Sequence, residues 1–289
     1  MITVFGIYAF IVLGFFAKKI FKEIDGKTLV ILSTYFLQPF LTLWGVMLVP
    51  IDKNLILSPF LYLVVVFIAL IFTYLISKVF LSDPKEVTIA SLTPLIGNTG
   101  NLGIPLSYAL FGDIGASIAT LINLANVFFI YSFGIFFFLK GQYSFRDSFF
   151  KMVKIPVLWF GILALILNLA GVRFNEIIMK ILQMGAFASI VIQLLIFGIY
   201  VAEMKIKEVG KKLIFATLIN KFVIFPLIGF LVLKYFLNGV YLKATMLEIL
   251  TPLAVTNVNL AALFNLYPQK VAFLVILTSV LFIGVVFLF

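Results

Sequence analysis

The sequence contains no cysteine and no histidine, and only 11% of its residues are charged. The lack of cysteine excludes disulfides and thiol chemistry, and the lack of histidine removes the imidazole base and a common zinc or haem ligand. The eleven acidic residues are scattered over loop ends, without paired carboxylates on one internal helical face. A glycine-rich phosphate loop with a lysine is also missing from the sequence. These absences argue against an enzyme, a metal site and a cofactor.

Apolar residues dominate what remains: they make up 64% of the chain, and the mean hydropathy is +1.26. A soluble domain is about half apolar and about a quarter charged, so this is an integral protein of the lipid bilayer. The net charge of +10 is the signal that nucleic-acid binding would give. However, the basic residues lie in short connections, as membrane orientation requires, so we expect no nucleic-acid partner.

A transmembrane helix needs roughly 20 apolar residues. The chain has ten such segments, so we predict an all-α polytopic membrane protein with ten transmembrane helices. Their approximate bounds are residues 2–17, 28–49, 55–80, 87–110, 114–139, 153–171, 176–201, 213–236, 243–265 and 268–289.

The distribution of lysine and arginine predicts the orientation of these spans. Of the 21 basic residues, fifteen lie in odd-numbered connections, five in even-numbered ones, and Lys221 lies inside span eight. Because cytoplasmic loops carry the excess of basic residues, the odd-numbered connections are predicted to be cytoplasmic. A multi-pass protein of the cell membrane follows, with both termini extracytoplasmic.

An internal repeat links spans four and nine. The tetrapeptide LTPL occurs at residues 92–95 and again at 250–253, and the pair NL follows at Asn101 and at Asn259. The offset is five spans, and an odd number of spans per repeat reverses the second copy in the membrane. We therefore predict two inverted five-helix repeats, residues 1–139 and 153–289.

The segment GNTGNLGIP, residues 97–105, places poor helix formers inside span four. Irregular backbone at membrane depth occurs only where protein or water satisfies it. Span four is thus expected to break near residues 97–103 and to restart at about Pro105, with Asn98 or Asn101 as the cap.

Span nine contains a similar segment that disfavours a helix less strongly, TPLAVTNVNLA, with Thr256, Asn257 and Asn259 but no glycine. If both spans break, two helix N-termini point into the protein near the midplane, an arrangement that suits an anion. The alternative is a pair of proline kinks whose asparagines bond neighbouring helices.

Four further polar residues lie inside predicted spans. Asn123 and Asn126 share one face of span five and either bond a neighbouring helix or line a substrate site. Lys221 needs a partner, which is a substrate carboxylate, Glu248 or the carbonyls at a helix C-terminus. Glu248 itself lies either inside span nine or at the outer interface.

Several of these motifs resemble the auxin efflux carrier family over essentially the whole chain. They are LTPLIGNTGNLGIPL with ALFGDIGASIATL, GAFASIVIQLLIFGIYV, LINKFVIFPLIGF, and TPLAVTNVNLAALF with AFLVILTSVL. The resemblance implies two inverted five-helix halves with crossed, discontinuous helices 4 and 9, as in sodium/bile acid symporters. The family moves organic anions: auxin in plants, and small carboxylates such as malate or malonate in bacterial members. This chain lacks the plant carriers' long loop between spans five and six, and its ninth span lacks a glycine.

The resemblance implies a secondary transporter of small organic anions. Spans 1, 2, 6 and 7 form a scaffold, and spans 3–5 and 8–10 form a unit that moves past it like an elevator. Lys221 then occupies the place of sodium, and Glu248 is a second charge or coupling candidate. The expected substrate-binding residues are Asn98, Asn101, Pro105, Asn123, Asn126, Thr256, Asn257 and Asn259. A sodium-coupled bile acid-type symporter, an anion channel and a non-transporting receptor remain as alternatives, and a homodimer through the scaffold helices stays open.

Overall fold

The computed structural model describes residues 2–134, 155–203 and 209–286, with side chains from residue 6 onward. These ranges are helical, and no named strand occurs in them. The helices are α1 (Ile2–Ile20), α2 (Gly26–Met47), α3 (Lys53–Phe80), α4 (Pro84–Leu92), α5 (Thr99–Gly134), α6 (Pro156–Leu169), α7 (Glu176–Glu203), α8 (Lys211–Leu233), α9 (Gly239–Leu250), α10 (Thr256–Leu263) and α11 (Pro268–Val286).

Six of the described helices are long and apolar enough to cross a membrane: α2, α3, α5, α7, α8 and α11. The chain is therefore a multi-pass membrane protein, as its composition predicts. Predicted span four is divided between α4 and the start of α5, and predicted span nine between α9 and α10. The predicted repeat limits at 139, 153 and 289 lie outside the described residues, so the count of ten spans stays a prediction.

Aspartates begin the second, third and fourth helices. Asp25 accepts the backbone N–H groups of Lys27 and Thr28, Asp52 accepts that of Leu55, and Asp83 that of Lys85. Each carboxylate satisfies donors that have no partner inside the helix and lies at the positive end of the helix dipole. These caps set where the helices leave the polar connections.

Helix α5 bends at Gly112, which has φ of 65° and ψ of −151°. This left-handed conformation is strained for a residue with a side chain, so the glycine is needed at the bend. The bend falls between predicted spans four and five. It allows one element to contribute a short segment before residue 112 and a long helix after it.

Three of the helices contain a π-turn at a position that matters below. These turns are Ser33–Leu37 in α2, Thr99–Gly103 at the start of α5, and Asn220–Ile224 in α8. A π-turn widens the helix locally and is often found at functional sites.

The helices pack in two groups. Helices α1, α2, α6 and α7 pack against one another, while α3 packs with α4, α5, α8 and α9, and α10 packs with α11. Close approach inside the first group depends on glycine, since a Cβ on Gly14 would lie 2.2 Å from the carbonyl oxygen of Leu195. Between the groups, Ser117 Oγ of α5 donates to the carbonyl oxygen of Gly45 in α2 at 2.6 Å.

Candidate functional site

Two interrupted helices meet inside the protein. Between α4 and α5 the chain makes a 3₁₀ turn, Thr93–Leu95, and then runs irregularly to Asn98. The interval between α9 and α10 runs alongside it in the opposite direction, with Gly97 opposite Leu253. The N–H of Asn98 donates to the carbonyl oxygen of Pro252 at 2.8 Å, and the N–H of Ala254 donates to that of Ile96 at 3.0 Å. Each break therefore satisfies backbone groups of the other, as irregular backbone at membrane depth requires.

The first break lies a few residues earlier than predicted. Residues 99–103 are already a π-turn, and regular α-helix begins at Ile104 with Pro105 in its first turn, as expected. The expected side-chain cap by Asn98 is wrong. Its backbone carbonyl instead accepts the N–H groups of Leu102 at 3.1 Å and Gly103 at 3.0 Å.

The second break forms without a glycine. The hydroxyl of Thr251 donates to the carbonyl oxygen of Glu248 at 2.7 Å, and the N–H of Leu253 donates to the hydroxyl of Thr278 at 3.2 Å. Threonine hydroxyls thus satisfy backbone groups that the end of α9 and the break leave without helical partners.

Lys221 lies behind the paired breaks and is fully buried. Its ammonium donates to the carbonyl oxygens of Pro94 and Ile249, each at 2.9 Å, at the C-terminal ends of α4 and α9. A cation is favourable at this end of a helix dipole. Of the three partners considered from the sequence, the helix-end carbonyls make the direct contact. Gly97 leaves room for the hydroxyl of Thr251, since a Cβ there would lie 2.6 Å from Thr251 Oγ1.

Glu248 is also fully buried within the protein. Ser107 Oγ donates to Glu248 Oε1 at 2.8 Å. The other carboxyl oxygen lies against Gly103, where a Cβ would approach it to 2.0 Å. The carboxyl group joins α9 to α5, and within the described residues it makes no direct ion pair with Lys221.

Asn257 and Asn126 hold the first break in place from two sides. Asn257 Nδ2 donates to the carbonyl oxygen of Ile96 at 2.9 Å, and Asn126 Nδ2 donates to that of Gly97 at 3.0 Å. Both side chains are buried. Their geometry is that of structural amides that pair an irregular backbone.

Asn123 and Asn126 also meet at Thr99, the first residue of α5. The hydroxyl of Thr99 donates to Asn123 Oδ1 at 2.9 Å and accepts from Asn126 Nδ2 at 3.0 Å. Of the two roles considered for them, hydrogen bonding between polypeptide segments is the one that the contacts show.

A cavity of about 130 Å³ lies beside the breaks. Three expected site residues line it: Asn101, Thr256 and Asn259. The described wall does not include the other five, Asn98, Pro105, Asn123, Asn126 and Asn257. The remaining lining residues are Val30, Ser33, Thr34, Gln38, Gln193, Ile196, Phe197, Tyr200 and Val255.

The cavity faces the N-terminal ends of two helices. Asn101 lies in the first turn of α5, Thr256 is the first residue of α10, and Asn259 follows one turn later. The first N–H groups of a helix lack intrahelical partners and carry the positive end of its dipole. Amide side chains and helix N-termini together form a setting that favours an anion.

The opposite wall consists of α2 and α7, and its polar residues were not among the site residues expected from the sequence. Gln38 and Gln193 are amides within apolar segments, a signal that could have identified them. Ser33, Thr34 and Tyr200 give no comparable signal, because hydroxyl residues are common in membrane helices that pack closely.

A second cavity, of about 290 Å³, continues from the first. The two share Tyr200, Val255 and Asn259, and the second extends to Glu203, Pro268 and Gln269. The second cavity thus leads from the polar cavity toward the C-terminal end of α7 and the N-terminal end of α11.

These features define a class: a helical, multi-pass membrane transport protein with interrupted helices beside an internal polar cavity. The sequence model of the membrane transport protein family matches residues 1–148, and the chain belongs to this family. This is the auxin efflux carrier family that its motifs resemble. The chain is also similar to an uncharacterized transporter of Methanocaldococcus jannaschii. The identity is 26% over 285 residues, which cover 93% of this chain and 91% of the relative.

Proposed function

We propose that this protein is a secondary transporter that binds small organic anions, specifically carboxylates, in the cavity beside the paired breaks. One observation carries the proposal: Asn101, Thr256 and Asn259 come from the first two turns of α5 and α10 and meet at one cavity. Their side chains, together with the N–H groups at both helix N-termini, donate hydrogen bonds to the carboxylate. Hydrogen bonds to an ionised acceptor are roughly twice as strong as neutral ones.

The proposal includes the inverted repeat. The two breaks pair in antiparallel orientation, with Gly97 opposite Leu253. These two residues lie close to positions that the LTPL repeat relates to each other. Crossed helices 4 and 9 then correspond to α4 with the start of α5, and to α9 with α10. Internal symmetry of this kind builds a midplane site from two half-helices.

Transport occurs in this proposal by an elevator motion. Helices α1, α2, α6 and α7 form the scaffold, and α3–α5 with α8–α11 form the moving unit. The packing of the helices in two groups supports this division. Both breaks and Lys221 lie in the moving unit, so the unit carries the carboxylate site intact.

The second cavity indicates which side the site opens to. Glu203 and Gln269 lie at the connections that the lysine distribution assigns to the cytoplasm. In the proposed orientation, with both termini extracytoplasmic in the cell membrane, the conformation described here opens inward.

We further propose that transport does not require sodium. Backbone carbonyl oxygens coordinate alkali cations, and the ammonium of Lys221 already lies between those of Pro94 and Ile249. A sodium-coupled symporter of the bile acid type is the alternative. Transport that stops when choline replaces sodium would favour that alternative over the present proposal.

Thermal stabilisation by a panel of small carboxylates tests the binding site. A ligand at 100 times its dissociation constant stabilises a protein by about 2.7 kcal/mol. We expect at least one small carboxylate to raise the unfolding temperature of the wild type, and the Asn101→Ala, Asn259→Ala double variant to lose this response.

Asn238→Ala is the matched control, because Asn238 is exposed at the start of α9 and its side chain makes no capping bond. It should respond like the wild type. An unchanged response of the double variant would contradict the site.

A further inference from the structure

The scaffold side of the cavity is built from neutral hydrogen-bonding groups. Helix α2 contributes Ser33, Thr34 and Gln38, and α7 contributes Gln193 and Tyr200. Polar groups placed between membrane helices cost free energy unless they are hydrogen-bonded. The wall opposite the carboxylate donors can therefore form hydrogen bonds with a polar group of a ligand.

The two glutamines of this wall are held in a fixed orientation. Gln193 Nε2 donates to Ser189 Oγ at 2.6 Å, and Gln38 Nε2 donates to Gln193 Oε1 at 3.3 Å. Gln193 is buried, while Gln38 is half-buried. A primary amide has two N–H donors and one carbonyl acceptor. After these two bonds, Gln38 keeps its carbonyl oxygen and one N–H for a ligand.

Ser33 adds a second, independent observation. Its hydroxyl is buried at the cavity wall, and no hydrogen-bond partner for it occurs within the described residues. It lies in the π-turn Ser33–Leu37, which directly precedes Gln38. Buried polar atoms are nearly always paired, so this hydroxyl, which lies in a residue of the cavity wall, is available to a polar group of a ligand.

The two walls together point to a substrate with two polar ends. We propose that Gln38 and Gln193, with Ser33, determine specificity by hydrogen-bonding an uncharged polar group of the substrate. The substrate class is then a short carboxylate that also carries a hydroxyl or an amide. This inference rests on the proposed function, because it takes the carboxylate to bind at Asn101 and Asn259.

The polar cavity has a volume of about 130 Å³, and the cavity that continues from it has about 290 Å³. Together they reach the ~300–1,000 Å³ of pockets for drug-sized ligands, so the polar groups of the wall, rather than the volume, define the substrate class. A site built to hydrogen-bond a substrate hydroxyl rejects an analogue without it strongly, since the polar groups of the site are then left unpaired. The glutamine wall thus disfavours acids whose second end is apolar.

Propionate, 3-hydroxypropionate and malonate distinguish the possible second ends, because they share a three-carbon chain. 3-Hydroxypropionate adds a hydroxyl to the methyl end of propionate, and malonate replaces that end by a second carboxylate. Binding of each acid to the purified full-length protein is measured by thermal stabilisation and by isothermal titration. We expect 3-hydroxypropionate to bind the wild type at least tenfold more tightly than either propionate or malonate.

The variants Gln38→Leu and Gln193→Leu should each weaken 3-hydroxypropionate binding at least tenfold and leave propionate binding within about threefold. The tenfold loss corresponds to about 1.4 kcal/mol, the scale of one hydrogen bond. Gln183→Leu is the matched control: it lies ten residues earlier on α7, outside the cavity wall, and should bind all three acids like the wild type.

The outcomes separate this inference from the proposal on which it rests. Equal binding of 3-hydroxypropionate and propionate, tighter binding of malonate, or an equal loss of 3-hydroxypropionate and propionate in the glutamine variants overturns the role of Gln38 and Gln193. In each of those results the carboxylate site itself survives. If no acid binds, including the wider panel of carboxylates, the proposed function fails and this inference fails with it.

Discussion

The backbone N–H of Asn98 donates to the carbonyl oxygen of Pro252 at 2.8 Å, so the break in one helix is hydrogen-bonded to the break in another. The two residues are far apart in sequence and come from the two copies of the LTPL motif and its surroundings. Lys221 lies behind this pair and bonds the carbonyl ends of α4 and α9. The helix N-termini on the other side face the cavity. The arrangement gives a membrane protein a stable region of irregular backbone around which a substrate site can form.

Replacing Lys221 by methionine tests the role of the ammonium. The variant leaves two buried carbonyl oxygens without a donor, at a cost of about 1–3 kcal/mol each. We expect a lower unfolding temperature and at least tenfold weaker carboxylate binding, measured on the same purified sample. Lys234→Met is the matched control, because Lys234 is exposed at the end of α8 and should change neither quantity. A Lys221→Met protein with normal stability and affinity would remove this residue from the account.

Two asparagines on α10 should behave differently although they are only two residues apart. Asn257 bonds the carbonyl oxygen of Ile96, whereas Asn259 lines the cavity. We expect Asn257→Ala to lower the unfolding temperature without ligand, since the buried carbonyl oxygen of Ile96 then keeps only the N–H of Ala254 as a donor and the break loses its bond to the Asn257 side chain. Asn259→Ala should keep that temperature and lose the shift caused by a carboxylate. Identical behaviour of the two variants would contradict the division between structural and binding amides.

The sequence alone predicted the break in span four, because proline and glycine disfavour a continuous helix and asparagine is costly in an apolar segment. For span nine, which has no glycine, the sequence left both a break and a proline kink open. It did not separate the amides that pair backbone from the amides that face the cavity. Asn126, Asn257 and Asn259 are chemically the same, and only the contacts that α5 and α10 make with the first break decide their roles. The α2 wall was missed for a related reason: Ser33 and Thr34 are of a type common in membrane helices.

A disulfide between the two helix groups tests the elevator motion. Because the chain has no cysteine of its own, only the introduced pair can form the cross-link. A Cβ on Gly161 of α6 would lie 3.3 Å from Leu124 Cγ of α5, so cysteines at these positions place a thiol within bonding reach. We expect oxidation of the Leu124→Cys, Gly161→Cys protein to stop transport and reduction to restore it.

A second pair inside the moving unit serves as the control for that experiment. A Cβ on Gly229 of α8 would lie 3.7 Å from Ile249 Cγ2 of α9, a position that the sulfur of a cysteine at 249 can take. The oxidised Gly229→Cys, Ile249→Cys protein should keep transporting, because both helices move together. Full transport by the completely cross-linked 124–161 protein would exclude a relative motion of α5 and α6.

Labelling of single cysteines tests the orientation. Lys22 and Lys53 are both exposed, and they lie in the first and second connections. In intact cells, a membrane-impermeant maleimide should label the Lys53→Cys protein from outside. It should label the Lys22→Cys protein, whose cysteine is cytoplasmic, only after the membrane is permeabilised. The opposite pattern would invert the proposed topology.

Counterflow in proteoliposomes tests the central claim, that the cavity beside the paired breaks is the substrate site of a carrier. Vesicles containing the purified protein are loaded with the unlabelled carboxylate that stabilises it most and are then diluted into the same labelled acid. The account predicts saturable uptake that internal substrate accelerates and that the Asn101→Ala, Asn259→Ala variant lacks, while Asn238→Ala retains it. Uptake that neither saturates nor responds to internal substrate would indicate a channel, and no uptake of the bound acid would indicate a receptor; either result contradicts the account.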